Sequence, residues 1–173
     1  MTTPDDTRSR ILAAARQLFA ERGYAGTSLA DIAAAVGLTK TAVAYHFHPK
    51  DRLAYELLAP AADDMLALLG TDFPDRKAFV EALVTFAVRY RSVIRLFMED
   101  LAAEDPGSPD SERATVRSFR DEIFARLAGD DPDPRTRLKS WALLGALQWG
   151  AVRTTDLPED EVRDVLLEAC RGF

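Results

Sequence analysis

The chain has 173 residues, 47% of them hydrophobic and 29% charged, which suffices for one long or two short globular domains. The sequence contains only two histidines and one cysteine, and it has neither a glycine-rich phosphate loop nor a nucleophile motif, which argues against an enzyme, a metal site or a cofactor. No signal peptide or bilayer-spanning segment is visible, so we predict a cytoplasmic protein. The net charge of −6 is unevenly divided, because residues 1–50 carry +2 and the remainder carries −8.

The first predicted element is a helix over residues 8–24, RSRILAAARQLFAERGY. Its apolar side chains recur three and four residues apart and so form one stripe. The stripe consists of Ile11, Leu12, Ala15, Leu18 and Phe19. Gly23 is expected to end this helix, which can then pack across the two helices that follow.

Two short helices joined by a glycine turn are predicted next. Ser28 and Asp31 are spaced as a capping box, in which the serine oxygen accepts a free amide proton and the carboxylate reaches back. Gly37 adopts positive φ easily and is expected to stop the first of the two helices. Thr39 is the expected cap of the second helix, which runs through Lys40–His46.

The outward face of the second short helix indicates what the pair binds. Val43 and Phe47 are four residues apart and are expected to face inward. The outward positions are Thr39, Lys40, Thr41, Ala44 and Tyr45. These small or hydrogen-bonding side chains suit a helix in a major groove about 12 Å wide, which predicts a helix-turn-helix with DNA as the first candidate partner. Helix pairs of this kind also occur in proteins that bind no nucleic acid, and the segment alone leaves both possibilities open.

The remainder of the chain is predicted to be helical with short connections. Its helices are expected over Pro49–Leu69, Arg76–Ala103, Arg113–Leu127, Arg135–Thr154 and Glu159–Phe173. Pro60 is expected to bend the first of them, and the second is either one helix or two helices joined near Arg91. The acidic sequence from Glu104 to Glu112 is expected to be a connector.

The last two predicted helices are the best candidates for self-association, because their apolar stripes and small residues permit close packing of four helices from two chains. The predicted dimer interface comprises Leu138, Trp141, Ala142 and Gly145 on the first of these helices and Val162, Val165, Leu166 and Ala169 on the second. The alternative is that both stripes only complete the core of the chain itself.

Residues 7–53 resemble the amino-terminal DNA-binding domain of TetR-family transcriptional regulators. The sequence that carries the resemblance is TRSRILAAARQLFAERGYAGTSLADIAAAVGLTKTAVAYHFHPKDRL. The resemblance implies that bases are faced by Lys40, Thr41 and Ala44, and that phosphates are held by Thr27, Ser28, Thr39, Tyr45, His46 and Lys50. For His46, the alternative is a partly buried ring that closes the three-helix core.

Two positions depart from the family pattern. Ala44 stands where the family commonly has a tyrosine, which leaves at most an apolar contact with a thymine methyl group. Pro49 stands where a serine or a similar helix cap is common, and this changes only the capping chemistry.

The resemblance also implies an architecture and an activity. The implied fold is all-α with about nine helices, divided into a helix-turn-helix domain at residues 1–48 and a helical effector-binding and dimerisation domain at residues 49–173. The implied protein is a homodimeric transcriptional regulator, a repressor rather than an activator, which dimerises through its final two helices and binds a palindromic operator. A helical dimeric adaptor that has lost sequence-specific DNA binding is the alternative, favoured by Ala44 and by the modest charge of residues 1–50.

A small-molecule effector is implied for the second domain, and the apolar residues there indicate a hydrophobic or aromatic compound. The candidate pocket residues are Met65, Phe86, Phe97, Met98, Phe119 and Trp149, with Arg89, Tyr90 and Gln148 as polar anchors. Ordinary core packing is the alternative for each of them, because methionines and aromatic residues at helical spacing are what a helical core requires.

Overall fold

A computed structural model describes residues 4–99 and 112–171, and the regular structure in these ranges is entirely helical. The helices are α1 (Pro4–Arg22), α2 (Leu29–Val36), α3 (Lys40–His46), α4 (Asp51–Leu69), α5 (Arg76–Arg89), α6 (Arg91–Glu99), α7 (Glu112–Ala128), α8 (Pro134–Gly145) and α9 (Glu159–Cys170). The predicted all-α fold is therefore confirmed. None of these described helices is long and apolar enough to cross a membrane.

Local chemistry explains where the first three helices begin and end. Gly23 and Gly37 adopt φ values of 76° and 70°, a conformation that favours glycine, directly after α1 and α2. Ser28 and Asp31 form both halves of the predicted capping box at the start of α2. The Oγ1 atom of Thr39 accepts a hydrogen bond from the amide of Ala42 at 3.2 Å and caps α3. The predicted helix caps and stops are thus confirmed. The capping side chains give hydrogen-bond partners to backbone amides that the helix leaves unpaired.

The helix α4 begins two residues later than predicted. Its predicted start, Pro49, lies instead in a tight turn, since the carbonyls of Pro49 and Lys50 accept hydrogen bonds from the amides three residues further on at 3.1 Å and 3.0 Å. The helix then continues through Pro60 to the predicted end at Leu69.

The predicted helix from Arg76 onward is two helices. The chain leaves helical geometry at Tyr90, with φ −104° and ψ 13°, so α5 and α6 meet one residue before Arg91. This confirms the second of the two alternatives. The expected helix ends at Ala103 and Phe173 and the connector before Glu112 lie outside the described residues, and Glu112 itself begins α7.

The predicted helix at residues 135–154 changes its geometry partway along. Helix α8 ends at Gly145 and is followed directly by a π-helical segment, Ala146–Gly150. A Cβ atom on Gly150 would lie 2.9 Å from Cδ2 of Leu166, which is closer than van der Waals contact permits. Glycine at this position therefore allows α9 to approach the end of the π-helical segment closely.

The described chain forms two compact units, each with its own core. The first unit comprises residues 4–62 and 96–99, and its centre is made by Ile11, Ala15, Ile32, Val43, Phe47 and Leu53, all fully buried. The second unit comprises residues 63–95 and 112–171, and its most buried side chains are Val84, Leu143 and Ala151. We call these the first core and the second core. The predicted functional division between residues 48 and 49 remains a prediction.

Candidate nucleic-acid interface

The helix α3 is fixed to the first core by its inward face. Val43 and Phe47 are fully buried there, four residues apart on one side of the helix. A helix of seven residues has little stability on its own, because too few hydrogen bonds form to offset the cost of starting it. The burial of these two side chains therefore decides both that α3 exists and which of its faces points outward.

The outward face of α3 carries the side chains that the sequence placed there. Lys40, Thr41 and Tyr45 are exposed, and Tyr45 is the most open of them at 87%. Ala44 is half-buried and packs partly against the first core, so only part of its methyl group is available to a ligand. His46 is half-buried, with its ring edge-on to Tyr45 at a centroid distance of 5.4 Å. These side chains form one surface, which we call the α3 face: Thr39, Lys40, Thr41, Ala44, Tyr45 and His46.

Three hydrogen bonds join Ser28 and Asp31 at the start of α2. The Oγ atom of Ser28 accepts from the amide of Asp31 at 3.2 Å and donates to a carboxylate oxygen of Asp31 at 2.5 Å. The same carboxylate accepts from the amide of Ser28 at 2.8 Å. These hydrogen bonds, above all the one from the Ser28 hydroxyl, lower the pKa of Asp31 below its ordinary value of 3.8. The hydroxyl proton of Ser28 is thus already engaged, and a phosphate at this helix start would have to displace it.

Thr27 does not fit its predicted role as a phosphate contact. Its side chain is only 2% exposed, and its hydroxyl donates inward to the carbonyls of Gly23 at 2.9 Å and Leu18 at 3.3 Å. Its amide donates to the carbonyl of Tyr24 at 3.2 Å. A side chain and an amide that are both committed inside the fold have nothing to offer a phosphate, so the prediction for Thr27 is wrong.

Lys50, also predicted as a phosphate contact, is tied to the loop between α1 and α2. Its Nζ atom donates to the carbonyls of Tyr24 at 2.8 Å and Thr27 at 3.0 Å, and it lies 3.7 Å from the centroid of the Tyr24 ring. Two carbonyls and an aromatic face together hold the ammonium in a partly buried position. This geometry makes Lys50 a positioning residue that joins the turn before α4 to the segment leading into α2. No local sequence pattern signals this role of Lys50, because its partners lie 23 and 26 residues away along the chain.

The predicted effector residues are placed in different surroundings. Met65 is buried in the second core, and Phe86 and Phe119 pack against it. Gln148 and Trp149 are exposed, Met98 belongs to the first unit, and the side chain of Phe97 lies outside the described part of the chain. The structure therefore brings together only some of the predicted set.

Two of the three polar anchors proposed for the effector, Tyr90 and Arg89, already have a protein partner, Asp64, which sequence reasoning missed. The hydroxyl of Tyr90 donates to the Asp64 carboxylate at 2.6 Å, and a guanidinium nitrogen of Arg89 lies 3.2 Å from it. Ser140 was also missed. It is fully buried in α8, and its hydroxyl has no hydrogen-bond partner among the described residues. A buried polar group of this kind is rare in folded proteins.

The predicted dimer residues divide into an outward set and an inward set. Val162 and Leu166 are buried in the second core, so their assignment to a dimer interface is wrong and the core alternative holds for them. Leu138 is 70% exposed and Val165 is 60% exposed. The remaining outward or partly outward members are Trp141, Ala142, Gly145 and Ala169. Trp149 is 50% exposed and extends this outward apolar surface beyond α8, although the sequence had placed it in the effector pocket.

Comparison with known proteins shows which regulators the chain resembles. The model of bacterial regulatory proteins of the tetR family matches residues 11–57, which cover most of α1, all of α2 and α3 and the start of α4. The regulator RutR of Escherichia coli O157:H7 is 30% identical over 128 residues, 70% of this chain and 60% of RutR. The repressor KstR2 of Rhodococcus jostii is 36% identical over 96 residues, 49% of this chain and 47% of KstR2. The chain thus spans about half to three fifths of the length of these relatives.

A solved structure shares the fold across nearly the whole chain. The structure of AibR in complex with isovaleryl coenzyme A and operator DNA superposes with a TM-score of 0.68 at 18% identity, covering 94% of this chain and 96% of that one. The family model and the two relatives confirm that the amino-terminal residues resemble the TetR family of bacterial regulatory proteins, and the solved structure shows the same fold. No group of three or more metal-ligating His, Cys, Asp or Glu side chains occurs among the residues that the structure describes.

The capping box of α2 makes the stability of the first unit depend on pH. Because the pKa of Asp31 is lowered in the folded chain, its charged form is favoured by folding, and the stabilisation is present above the ordinary value of 3.8 and lost as the pH falls through the folded value. Asp31→Asn should therefore lower the free energy of unfolding most at about pH 6 and progressively less toward about pH 2.5. Urea unfolding across this range measures the difference, with Ser28→Ala as a second variant that weakens the same dependence. Parallel curves for wild type and Asp31→Asn would contradict the assignment.

Proposed function

We propose that the chain is a DNA-binding transcriptional regulator that reads the major groove with its α3 face. The observation that supports this most is the division of α3 into a fully buried side, Val43 and Phe47, and an open side with Lys40, Thr41 and Tyr45. Lysine donates hydrogen bonds to guanine, threonine bonds to several base edges, and a half-exposed alanine methyl suits thymine. Thr39 caps α3 at the end where free amides and the helix dipole favour a phosphate.

The net charge of residues 1–50 is only +2, and several of their basic side chains are engaged within the fold. Of the basic side chains in residues 1–50, Arg8 pairs with Glu56, Arg10 donates to the carbonyl of Val36, and Lys50 is held by the α1–α2 loop. Each neutralised phosphate adds one increment of counterion release, so a single unit gains little from this source. We therefore propose that two units act together on a palindromic site.

DNA recognition is tested by selecting a binding site from randomised duplexes and titrating variants at several salt concentrations. Lys40→Ala should weaken binding to the selected site by roughly tenfold or more and change the preferred bases, because Lys40 faces base edges. Lys77→Ala is the matched control, because Lys77 is also an exposed lysine but lies on α5 of the second unit, and it should change neither. Retention of affinity and preference by Lys40→Ala would contradict base readout by this residue.

Lys50→Met separates positioning from phosphate contact in the same titrations. A positioning role lowers affinity for all sequences and leaves the salt dependence unchanged, whereas loss of a phosphate contact lowers the slope of log K against log salt by about 0.9. We expect the unchanged slope. If no duplex is selected by the wild-type protein at all, the adaptor alternative, favoured by Ala44 and by the modest charge, takes the place of the regulator.

We propose further that the chain is a homodimer through the outward surface of α8 and α9. The support is the exposure of large apolar side chains, namely Leu138 and Trp141 on α8, Val165 on α9 and Trp149 on the π-helical segment that follows α8. Large exposed apolar patches mostly mark protein interfaces, and we propose that these side chains form one. A second copy also supplies the second reading unit that a palindromic operator requires.

The dimer is tested with charged substitutions in this surface. Leu138→Glu combined with Val165→Glu should convert the dimer into a monomer in analytical ultracentrifugation, because two carboxylates would be desolvated at the interface. Leu66→Glu is the matched control, since Leu66 is also an exposed leucine but lies on α4. Operator affinity should fall with the loss of the dimer. A double variant that stays dimeric at micromolar concentration would rule out this surface.

We also propose that the protein is a repressor released by a hydrophobic or aromatic effector bound in the second unit. The relative KstR2 is named a repressor, and AibR was crystallised with an acyl coenzyme A and operator DNA. In this chain Met65, Phe86 and Phe119 supply apolar surface at the second core. The unpartnered hydroxyl of Ser140 offers a hydrogen bond to one polar group of such a ligand.

The effector proposal is tested by adding aromatic acids and short-chain acyl coenzyme A thioesters to the protein–operator complex. One of these classes should lower operator affinity by about 5-fold to 150-fold, the usual range of allosteric coupling. Ser140→Ala should weaken this response while leaving the free energy of unfolding equal or about 1 kcal/mol higher, because an unpaired buried hydroxyl is removed. Marked destabilisation by Ser140→Ala, or DNA binding that no compound of either class changes, would contradict the proposal.

A further inference from the structure

Two arginines of α1 contact the two ends of α3. A guanidinium nitrogen of Arg10 donates to the carbonyl oxygen of Val36 at 2.8 Å. Val36 is the last residue of α2, so this carbonyl lies directly before the turn at Gly37 that leads into α3. Two residues before Arg10, the guanidinium carbon of Arg8 lies 5.3 Å from the centroid of the Phe47 ring, and Phe47 is the residue that ends α3. Arg10 therefore contacts the entry to α3, and Arg8 contacts its exit.

Arg8 is itself held by a carboxylate of α4. One of its guanidinium nitrogens forms an ion pair with one oxygen of Glu56, and the other oxygen of that carboxylate lies 3.5 Å from Nε of Arg52. The side chain of Glu56 is only 20% exposed, whereas that of Arg52 is 60% exposed. Arg8 is the closer and less exposed of the two partners, so it provides most of the compensation for a carboxylate that is largely removed from water. The guanidinium of Arg8 thus joins α1 to α4 and also covers the ring that ends α3.

We propose that Arg8 and Arg10 are positioning residues that hold α3 at both of its ends, and that they serve DNA recognition without contacting phosphates. The burial of Val43 and Phe47 decides which face of α3 points outward. The two arginines add contacts to the turn before this helix and to the ring after it. The inference rests on the proposed DNA-binding function and adds how the α3 face is held in place.

Charge and location alone would make both arginines candidates for phosphate contacts, because they lie in the unit that is proposed to bind DNA. Transfer of Arg8 to a phosphate would leave Glu56 with the exposed Arg52 as its remaining partner, and loss of one partner from a largely buried ion pair is unfavourable. Transfer of Arg10 would break the hydrogen bond between α1 and the end of α2. Both side chains therefore stabilise the fold more by staying where they are.

A charge exchange between Arg8 and Glu56 separates positioning from phosphate contact. Arg8→Glu places two carboxylates together and should weaken binding to the selected duplex by at least about fivefold, within the usual coupling of contacting residues. Addition of Glu56→Lys should restore the affinity to within about threefold of wild type, because opposite charges again join α1 and α4. Arg52 is exposed, so its repulsion of the introduced ammonium is weak. A phosphate contact by Arg8 predicts no restoration, since a carboxylate at position 8 would repel the DNA whatever charge α4 carries.

Neutral variants give a second measurement on the same duplex. Arg8→Met and Arg10→Met should each weaken binding while the slope of log K against log salt stays at the wild-type value. Loss of a phosphate contact would instead lower the slope by about 0.9. The matched control is Lys77→Glu with Glu81→Lys, which exchanges the charges of an exposed ion pair within α5 and should change neither affinity nor slope.

Hydrogen exchange of the free protein tests the hold on α3 without DNA. Arg8→Glu and Arg10→Met should each make the amides of α3 exchange about threefold faster or more, because local opening becomes easier, and Glu56→Lys should reverse the effect of Arg8→Glu. The amides of α5, which lies in the second unit, should exchange as in wild type. Circular dichroism establishes that every variant is folded.

The two sets of measurements distinguish failure of the inference from failure of the proposed function. If the exchange of α3 responds as expected but the wild-type protein selects no duplex, the hold on α3 stands and the proposed function falls. If a duplex is selected, the inference is overturned by unchanged exchange of α3, by a charge exchange that restores no affinity, or by a slope that falls by about 0.9 in either methionine variant. The proposed function would survive each of these three results.

Discussion

The seating of α3 on the first core is the interaction on which the proposed function depends. Seven residues cannot hold a helix in water by their own hydrogen bonds, so the burial of Val43 and Phe47 supplies the stability and the orientation at once. Gly37, with its positive φ, turns the chain so that this burial is possible directly after α2. Lys40 and Tyr45 are then presented on a rigid support, and a rigid support keeps the entropy cost of binding low.

Several polar side chains were predicted from the sequence to contact a ligand, but they make hydrogen bonds or ion pairs within the fold instead. Thr27 satisfies two carbonyls inside the first unit, and Lys50 closes the α1–α2 loop. Tyr90 and Arg89 likewise share Asp64 within the second unit. The first unit therefore has fewer available charges than its composition suggests. Under the proposed function, affinity for DNA would have to come from shape, from helix amino termini and from the use of two units.

Helices α8 and α9 each have apolar residues on two sides, of which one is buried in the second core and the other is exposed. Leu143 and Leu166 face the second core, while Leu138 and Val165 face outward. Hydrophobic periodicity reports that a helix has apolar faces but not which body covers each of them. Only the packed chain separates Val162 and Leu166, which belong to its own core, from Val165, one residue before Leu166, which is exposed.

What the sequence determined by itself was local. The capping box of Ser28 and Asp31, the stops at Gly23 and Gly37 and the cap at Thr39 depend on residues within four positions of one another, so their geometry follows from the order of residues alone. What only the tertiary structure decided depends on partners far along the chain. The inward bonds of Lys50 span 23 and 26 residues, and the pairing of Tyr90 with Asp64 spans 26. No local pattern encodes such contacts, because they exist only after separate helices have packed together.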